Sequence, residues 1–463
     1  MRNKQQTFAF AGAAEHERMP LGHQFPSGAI HMIPAPLDEM WQIKKLDDIV
    51  DIDTRFLAAR TPKEFPFYYI DITAASEGKL RIPSETLIFR DAPTRARKVI
   101  RRHDILMSMV RPNLKAFACF DHEHREDCFV ASTGFAVLTA KNGTAPRFVL
   151  YSLLSDFVSQ QIENSIIGSN YPAINISTVK SLQIPTPTTE EQTKIAEILS
   201  ALDRAIEQTE ALIAKQQRVN AGLMQDLLVL GIDKSGKARC QYTNTSIEKK
   251  PSHEEHTCHL TKLSNCAAEN SPICYGILMP GTAYPNGVPV IKVKDIKNGL
   301  IESGGLLLTD PKIDKAYKRS RLRKHDLLIT IRGTTGRVAA VPTELDGANI
   351  TQDTARIRIR DDHSVDYFYF LLQSRMVQEQ VALHTIGQAV KGINIASIRS
   401  IDVSVPSKEE QIEIAKHLRA SQKYLEELRL HCVKLYALKR GLMQDLLTGK
   451  RRVTPLLSSA STQ

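Results

Sequence analysis

The sequence predicts an α+β protein: two pseudo-repeated globular domains separated by two long antiparallel coiled-coil helices. Three observations carry this. Residues 222–228 and 441–447 both read GLMQDLL, 219 positions apart. A repeat of that length in a chain that is not low-complexity marks an internal duplication. The segments ending in each copy step their apolar residues by alternating fours and threes, as a heptad seam does. The segments before them mix short apolar runs with Gly, Asn and Pro turns, as strands and loops do.

The repeat extends far beyond the heptapeptide. At the same offset Glu190, Glu191 and Gln192 match Glu409, Glu410 and Gln411, and Pro187 matches Pro406. Ile174, Asn175 and Ile176 match Ile393, Asn394 and Ile395. Further back RRHDIL at 101–106 matches RKHDLL at 323–328, now 222 apart, as expected where loops between matched elements differ in length.

Taken in order, residues 1–40 form a loosely attached tail and 41–187 the first globule. A helix over 188–230 follows. Pro185 and Pro187 close an extended segment, Thr188 or Thr189 serves as N-cap, and Glu190 and Glu191 suit the positive end of the helix dipole. Its seam is Ile195, Leu199, Leu202, Ile206, Thr209, Ile213, Gln216, Asn220, Leu223 and Leu227. Residues 231–255 are polar and read as a linker. The second globule, 256–406, contains apolar runs at 288–293, 326–331 and 355–360 and a helical stretch at 367–382. A second helix spans 407–449 with the seam Ile414, Leu418, Ser421, Leu425, Leu428, Cys432, Leu435, Lys439, Leu442 and Leu446. Residues 450–463 are a tail. Paired antiparallel, helices of about 40 residues at ~1.5 Å per residue hold the globules several tens of Å apart.

Composition narrows the class. Charged residues are 24% of the chain, hydrophobic ones 42%, and no run approaches the ~18 apolar residues of a membrane helix. The N-terminal residues lack the sustained apolar core of a secretion signal. Seven Cys without CxxC spacing fit reduced thiols in the cytoplasm. With 61 Lys plus Arg against 51 Asp plus Glu, the net charge of +10 favours a polyanionic partner, nucleic acid first.

The whole arrangement resembles the DNA-specificity (S) subunit of type I restriction-modification systems. Two mixed globules, each followed by a heptad helix that begins with Pro and EEQ and ends in GLMQDLL, carry the resemblance, with TGKRR at 448–452 after the second. WQIKKLDDIV at 41–50, HLTKLSNCA at 259–267 and YGILMPG at 275–281 look like that family's domain openings. The resemblance spans about 41–452. It implies a non-catalytic subunit whose two target recognition domains each read half of an asymmetric bipartite site in double-stranded DNA. It also implies that the helices set the gap and dock two methyltransferase subunits, with motor and nuclease subunits joining for restriction. S-adenosylmethionine, ATP and magnesium would belong to those partners, and this chain would hold no cofactor. No NPPY-like or FxGxG-like methyltransferase motif is present in the sequence.

Two basic runs stand in equivalent positions of the copies. The first holds Arg90, Arg95, Arg97, Lys98, Arg101 and Arg102. The second holds Lys312, Lys315, Lys318, Arg319, Arg321, Arg323 and Lys324. A single run is most often a solvated face; two matched runs point to phosphate contact, and Arg can also fork onto guanine. Loops before each Ile-Asn-Ile offer Asn170, Tyr171, Gln388 and Lys391 to a groove, against the simpler reading as turns. GTTGR at 333–337 offers amides and Arg337 to a phosphate, or a structural hairpin.

Three other patterns are rejected. GIDKSGKA at 231–238 has phosphate-loop spacing, but Ala238 replaces the magnesium-binding hydroxyl and the stretch follows a helix. Asp71 with Glu77 and Lys79 has nuclease-like spacing that recurs cheaply at Asp295 and Asp310. His253, His256, Cys258, His259, Cys266 and Cys274 fit no zinc pattern, so no metal site is expected. The rival readings are a coiled-coil scaffold whose globules bind protein, and an enzyme acting alone.

Overall fold

Each EEQ motif starts a helix, and the same hydrogen bonds hold both starts. The computed structural model describes residues 41–58, 60–122, 128–166, 172–232, 259–387 and 391–458. Its two long helices are Thr189–Leu230 and Lys408–Leu446. The Thr188 and Ser407 hydroxyls accept from the Glu191 and Glu410 amides at 3.4 and 3.3 Å, so Thr188, rather than Thr189, is the first N-cap. Gln192 and Gln411 are buried. Their Nε2 atoms donate to the Pro187 and Pro406 carbonyls at 3.0 and 2.9 Å. Their Oε1 atoms accept from the Ala145 and Ser364 amides at 3.0 and 2.8 Å, which ties each helix to the globule preceding it.

The chain divides into two compact units: one runs to Arg204 and resumes at Tyr436, the other is Ala205–Leu435. Each therefore holds the start of one long helix and the end of the other. In the first unit Ile195, Ala196 and Leu199 share a core with Leu446, Leu447 and Val453, and with Trp41, Leu46, Phe148 and Ile184 of the globule. Buried Glu191 accepts both Nε and Nη2 of Arg452 at 2.9 Å. Asp203 accepts the Tyr151 hydroxyl at 2.7 Å and pairs with Lys439 at 2.5 Å. In the second unit Leu227, Leu228 and Ile232 share a core with Ile414, Ala415, Leu418, Phe368 and Val403. Glu410 there accepts the Ile232 amide at 2.9 Å. Within each unit later residues of one helix meet earlier residues of the other, so the pair is antiparallel. The duplicated heptapeptide has its explanation here. Each Leu-Leu pair fills the core of the unit whose EEQ belongs to the other helix.

Every seam position is buried or half-buried. One layer is polar: Gln216 Nε2 donates to Asn220 Oδ1 at 2.8 Å and to Ser421 Oγ at 3.0 Å, and Ser421 Oγ donates to Asn220 Oδ1 at 2.5 Å. A satisfied polar layer of this kind penalises any slipped register, which would leave the same groups unpaired.

The two globules share a strand plan. One sheet of the first runs Val50–Ile52, Phe135–Ala140, Ile105–Ser108, Phe117–Cys119; its counterpart runs Cys274–Tyr275, Thr354–Ile357, Leu327–Thr330, Val338–Ala340. In a second sheet Pro66–Ile70 pairs parallel with Phe129–Ser132, as Val288–Ile291 does with Asn349–Ile350. The ends of each globule are sewn together by antiparallel pairs, Gln42–Lys45 with Gln183–Thr186 and His259–Lys262 with Asp402–Val405. The single helix expected over 367–382 is two, Val365–Gln373 and Arg375–Leu383. Ser374 divides them by turning to ψ 152° and capping the second.

Candidate nucleic-acid interface

The repeated RRHD and RKHD stretches form one built turn, seen twice. His103 and His325 take left-handed φ values of 73° and 70°. The buried Asp104 and Asp326 carboxylates accept the Arg101 and Arg323 amides at 2.6 and 2.8 Å. Each carboxylate also holds a guanidinium, Asp104 that of Arg55 and Asp326 that of Arg358, the latter through two bonds of 2.7 and 2.6 Å. A turn closed from inside by its Asp leaves the three side chains before it facing outward, the His among them. Arg101 and Arg102 in the first globule, and Arg323 and Lys324 in the second, are exposed.

The basic segments leading into these turns differ. In the first globule Ala96–Ile100 is a strand whose alternate residues face inward. Arg97 lies half-buried on the outer side, its guanidinium 4.9 Å from the Phe89 ring centre. Arg95, exposed, donates to the Tyr69 hydroxyl and the Asp71 carboxylate, both at 3.0 Å; these partners raise its pKa further and hold it charged. Arg90 sits in a surface pair with Glu64 at 2.7 Å. Lys98 is a correction. It occupies the inward face, 5% exposed, with Nζ on Asp53 at 2.6 Å and the Phe135 carbonyl at 2.5 Å, and is part of the core.

In the second globule the same place is filled by the short helix Pro311–Ala316 and a 3-10 turn, Lys318–Ser320. Asp310 caps that helix, accepting the Lys312 amide at 2.8 Å, and Pro311 presets its first turn. Lys312, Lys318 and Arg319 are exposed, with Arg319 5.5 Å from the Tyr275 ring centre. Arg321 is bound to the buried carboxylate of Asp314, which also accepts Asn349 Nδ2 at 2.8 Å.

Arg337 fits the hairpin alternative: half-buried, it donates through Nη1 to the Ile296 carbonyl at 3.0 Å and the Val293 carbonyl at 3.5 Å, while Gly333 and Thr334 of the same loop are exposed. Gly336 there has φ 85°, and a Cβ would lie 2.5 Å from Gln378 Oε1. Lys391 is exposed beside that loop, its carbonyl accepting the Gly333 amide at 2.9 Å. Asn170, Tyr171 and Gln388 lie outside the described residues. Asp71, of the rejected nuclease-like spacing, caps a 3-10 turn and binds Arg95.

The sequence reading missed the Asp of each turn. Its signal was present, since RxHD recurs at matched positions, but attention to the cations hid the residue that arranges them. Among the described residues no three His, Cys, Asp or Glu side chains gather as a metal site would need, and no helix is long and apolar enough to cross a membrane.

Comparison with known proteins places the chain. The family described as Type I restriction modification DNA specificity domain matches residues 38–216 and 282–431, well over half of the sequence. The EcoBI type I restriction enzyme specificity subunit of Escherichia coli is 27% identical over 295 residues, 61% of each chain. The chain thus matches somewhat under two thirds of that relative's length. The MjaVIII specificity subunit of Methanocaldococcus jannaschii is 22% identical over 318 residues, 67% of this chain and 71% of that one. A solved chain described under complex assembly and conformational transition of the type I R-M system covers 89% of this chain and 99% of itself, with a TM-score of 0.56 and 22% identity, a likeness of fold. Together with the duplicated scaffold, these matches show that the chain belongs to the type I restriction modification DNA specificity family.

Proposed function

We propose that this protein is the non-catalytic specificity subunit of a cytoplasmic type I restriction-modification complex and binds double-stranded DNA at an asymmetric bipartite site. Residues 41–187 and 256–406 act as its recognition domains, each reading one half-site. The helices 188–230 and 407–449 set the gap and dock two methyltransferase subunits, and motor and nuclease subunits join for restriction. S-adenosylmethionine, ATP and magnesium belong to those partners.

The observation that carries the reading is the paired display of cations from one turn design on a duplicated scaffold. Arg101, Arg102, Arg323 and Lys324 are presented outward by buried Asp residues, with Arg95, Arg97, Lys312, Lys318 and Arg319 on the segments leading in. Fixed cations on a rigid turn suit phosphate contact, which positions a reader without itself specifying sequence. Major grooves on one face of B-DNA recur every ~34 Å, so two readers on one chain can address successive turns. Each misread base pair then costs about 1–3 kcal/mol in one reader independently of the other.

The test is duplex binding by the full chain across a salt series. Phosphate neutralisation makes log K fall linearly with log salt, with a slope of about −0.9 per phosphate engaged. Absence of duplex binding, or binding indifferent to salt, would favour a scaffold whose globules bind protein.

A further inference from the structure

Large apolar side chains held on a rigid surface loop call for something that covers them. In the second globule the chain leaves the edge strand Cys274–Tyr275 and carries Leu278 and Met279 outward, 49% and 82% exposed. The loop beneath is fixed at several points. A Cβ on Gly276 would lie 1.9 Å from the Ile350 carbonyl oxygen, so only glycine fits that approach. The Ile277 amide donates to the same carbonyl at 2.7 Å, Thr309 Oγ1 donates to the Pro280 carbonyl at 2.7 Å, and the Tyr284 amide donates to the Leu308 carbonyl at 2.9 Å. Leu278 and Met279 form one wall of an open groove of about 490 Å³; Lys312, Ile313, Ala316 and Tyr317 form the other. That lining contains a cation and no acid, and exposed Lys315, Lys318 and Arg319 continue the positive charge along the same segment.

The first globule repeats the placement with a different residue. Four residues beyond the equivalent edge strand, Val50–Ile52, Phe56 is 53% exposed. Its backbone bridges Lys98, and the flanking Leu57 amide donates to the Arg97 carbonyl at 2.8 Å, so Phe56 lies along the basic strand. An apolar tip beside fixed cations therefore occurs at the same point of both scaffolds.

We infer that these tips are base-reading contacts, with Leu278 and Met279 of the second globule meeting thymine 5-methyl groups in the major groove. The inference rests on the duplex-binding reading above. The occupant is DNA because the flanking charge matches a polyanion, and apolar carbon gains nothing from a phosphate. Apart from the deoxyribose carbons of the backbone, the apolar feature a duplex offers in the major groove is the thymine methyl.

The test uses the full chain, a duplex carrying the site mapped by methylation in its host, and a duplex with the half-site of the second globule scrambled. Leu278→Ser combined with Met279→Ser lowers the preference for the mapped site about tenfold while leaving the salt slope unchanged, because bases and not phosphates are lost. The mapped duplex also slows peroxide oxidation of Met279, read by mass spectrometry. An unchanged preference, or Met279 oxidised equally fast in the bound complex, overturns the inference while wild-type salt-dependent binding still stands. Protection of Met279 by a methyltransferase subunit without DNA overturns it as well. If the wild-type chain binds no duplex at all, the parent reading fails first.

Discussion

The two globules share a scaffold and differ in one segment, and the contrast separates what the fold requires from what it can vary. Strand order, the parallel pair, the Asp-closed turn and the Gln-tied helix start recur in both. Between an outer strand and the turn, however, the first globule inserts the strand Ala96–Ile100 and the second the helix Pro311–Ala316. The constant parts are held by buried polar groups, the turn Asp and the helix-start Gln, that each bind several partners. The variable part turns its cations outward in both globules, although Ala96, Lys98 and Ile100 of the first face inward, so its outer face can differ between copies as the proposed reading of different half-sites would require.

The largest expected effect falls on the shared turn. Asp326→Ala strands the Arg358 guanidinium, which is only 19% exposed, and the Arg323 amide. Removing one partner of a buried pair costs about 3–5 kcal/mol, read as a lower urea midpoint. Asp104→Ala should cost a similar amount through Arg55 and Thr139. A large cost in one globule and none in the other would break the claim of a common scaffold.

Next come Gln192→Ala and Gln411→Ala, each removing the two shared hydrogen bonds of a buried side chain at a helix start, and in Gln411 a further contact of 3.3 Å with His363 Nδ1, with a loss of about 1–3 kcal/mol in chemical denaturation. Equality between the two sharpens the comparison.

The variable segments should behave differently. Lys318→Ala and Arg319→Ala leave the urea midpoint nearly unchanged but reduce the salt slope of duplex binding by about one each. Lys98→Ala should do the reverse, lowering stability through its pair with Asp53 and leaving the slope alone. A slope change for Lys98→Ala would contradict its place in the core. Smallest of all is Arg90→Ala, whose exposed pair with Glu64 is worth well under about 1 kcal/mol in the same denaturation measurement.

These differences also mark what the sequence could reveal. The repeat and both long helices were legible because spacing alone encodes them. The inward turn of Lys98 was not, because a basic run reads as a surface until its strand periodicity is known. Ala96, Lys98 and Ile100 share the inner face, and Asp53, 45 residues away in sequence, together with the Phe135 carbonyl makes a lysine tolerable there. The second segment's helix was signalled by Asp310 and Pro311 as cap and first residue. For Arg337 the sequence left phosphate contact and hairpin both open, because its carbonyl partners lie in a remote 3-10 turn and strand that local sequence does not announce.

The central claim is that one scaffold carries two separable readers. Replacing residues 41–187 with the first domain of another family member, then mapping methylated sites in cells that supply the partner subunits, tests it most directly. The account predicts a new sequence in one half-site with the other half and the gap retained. A change in both halves would contradict it.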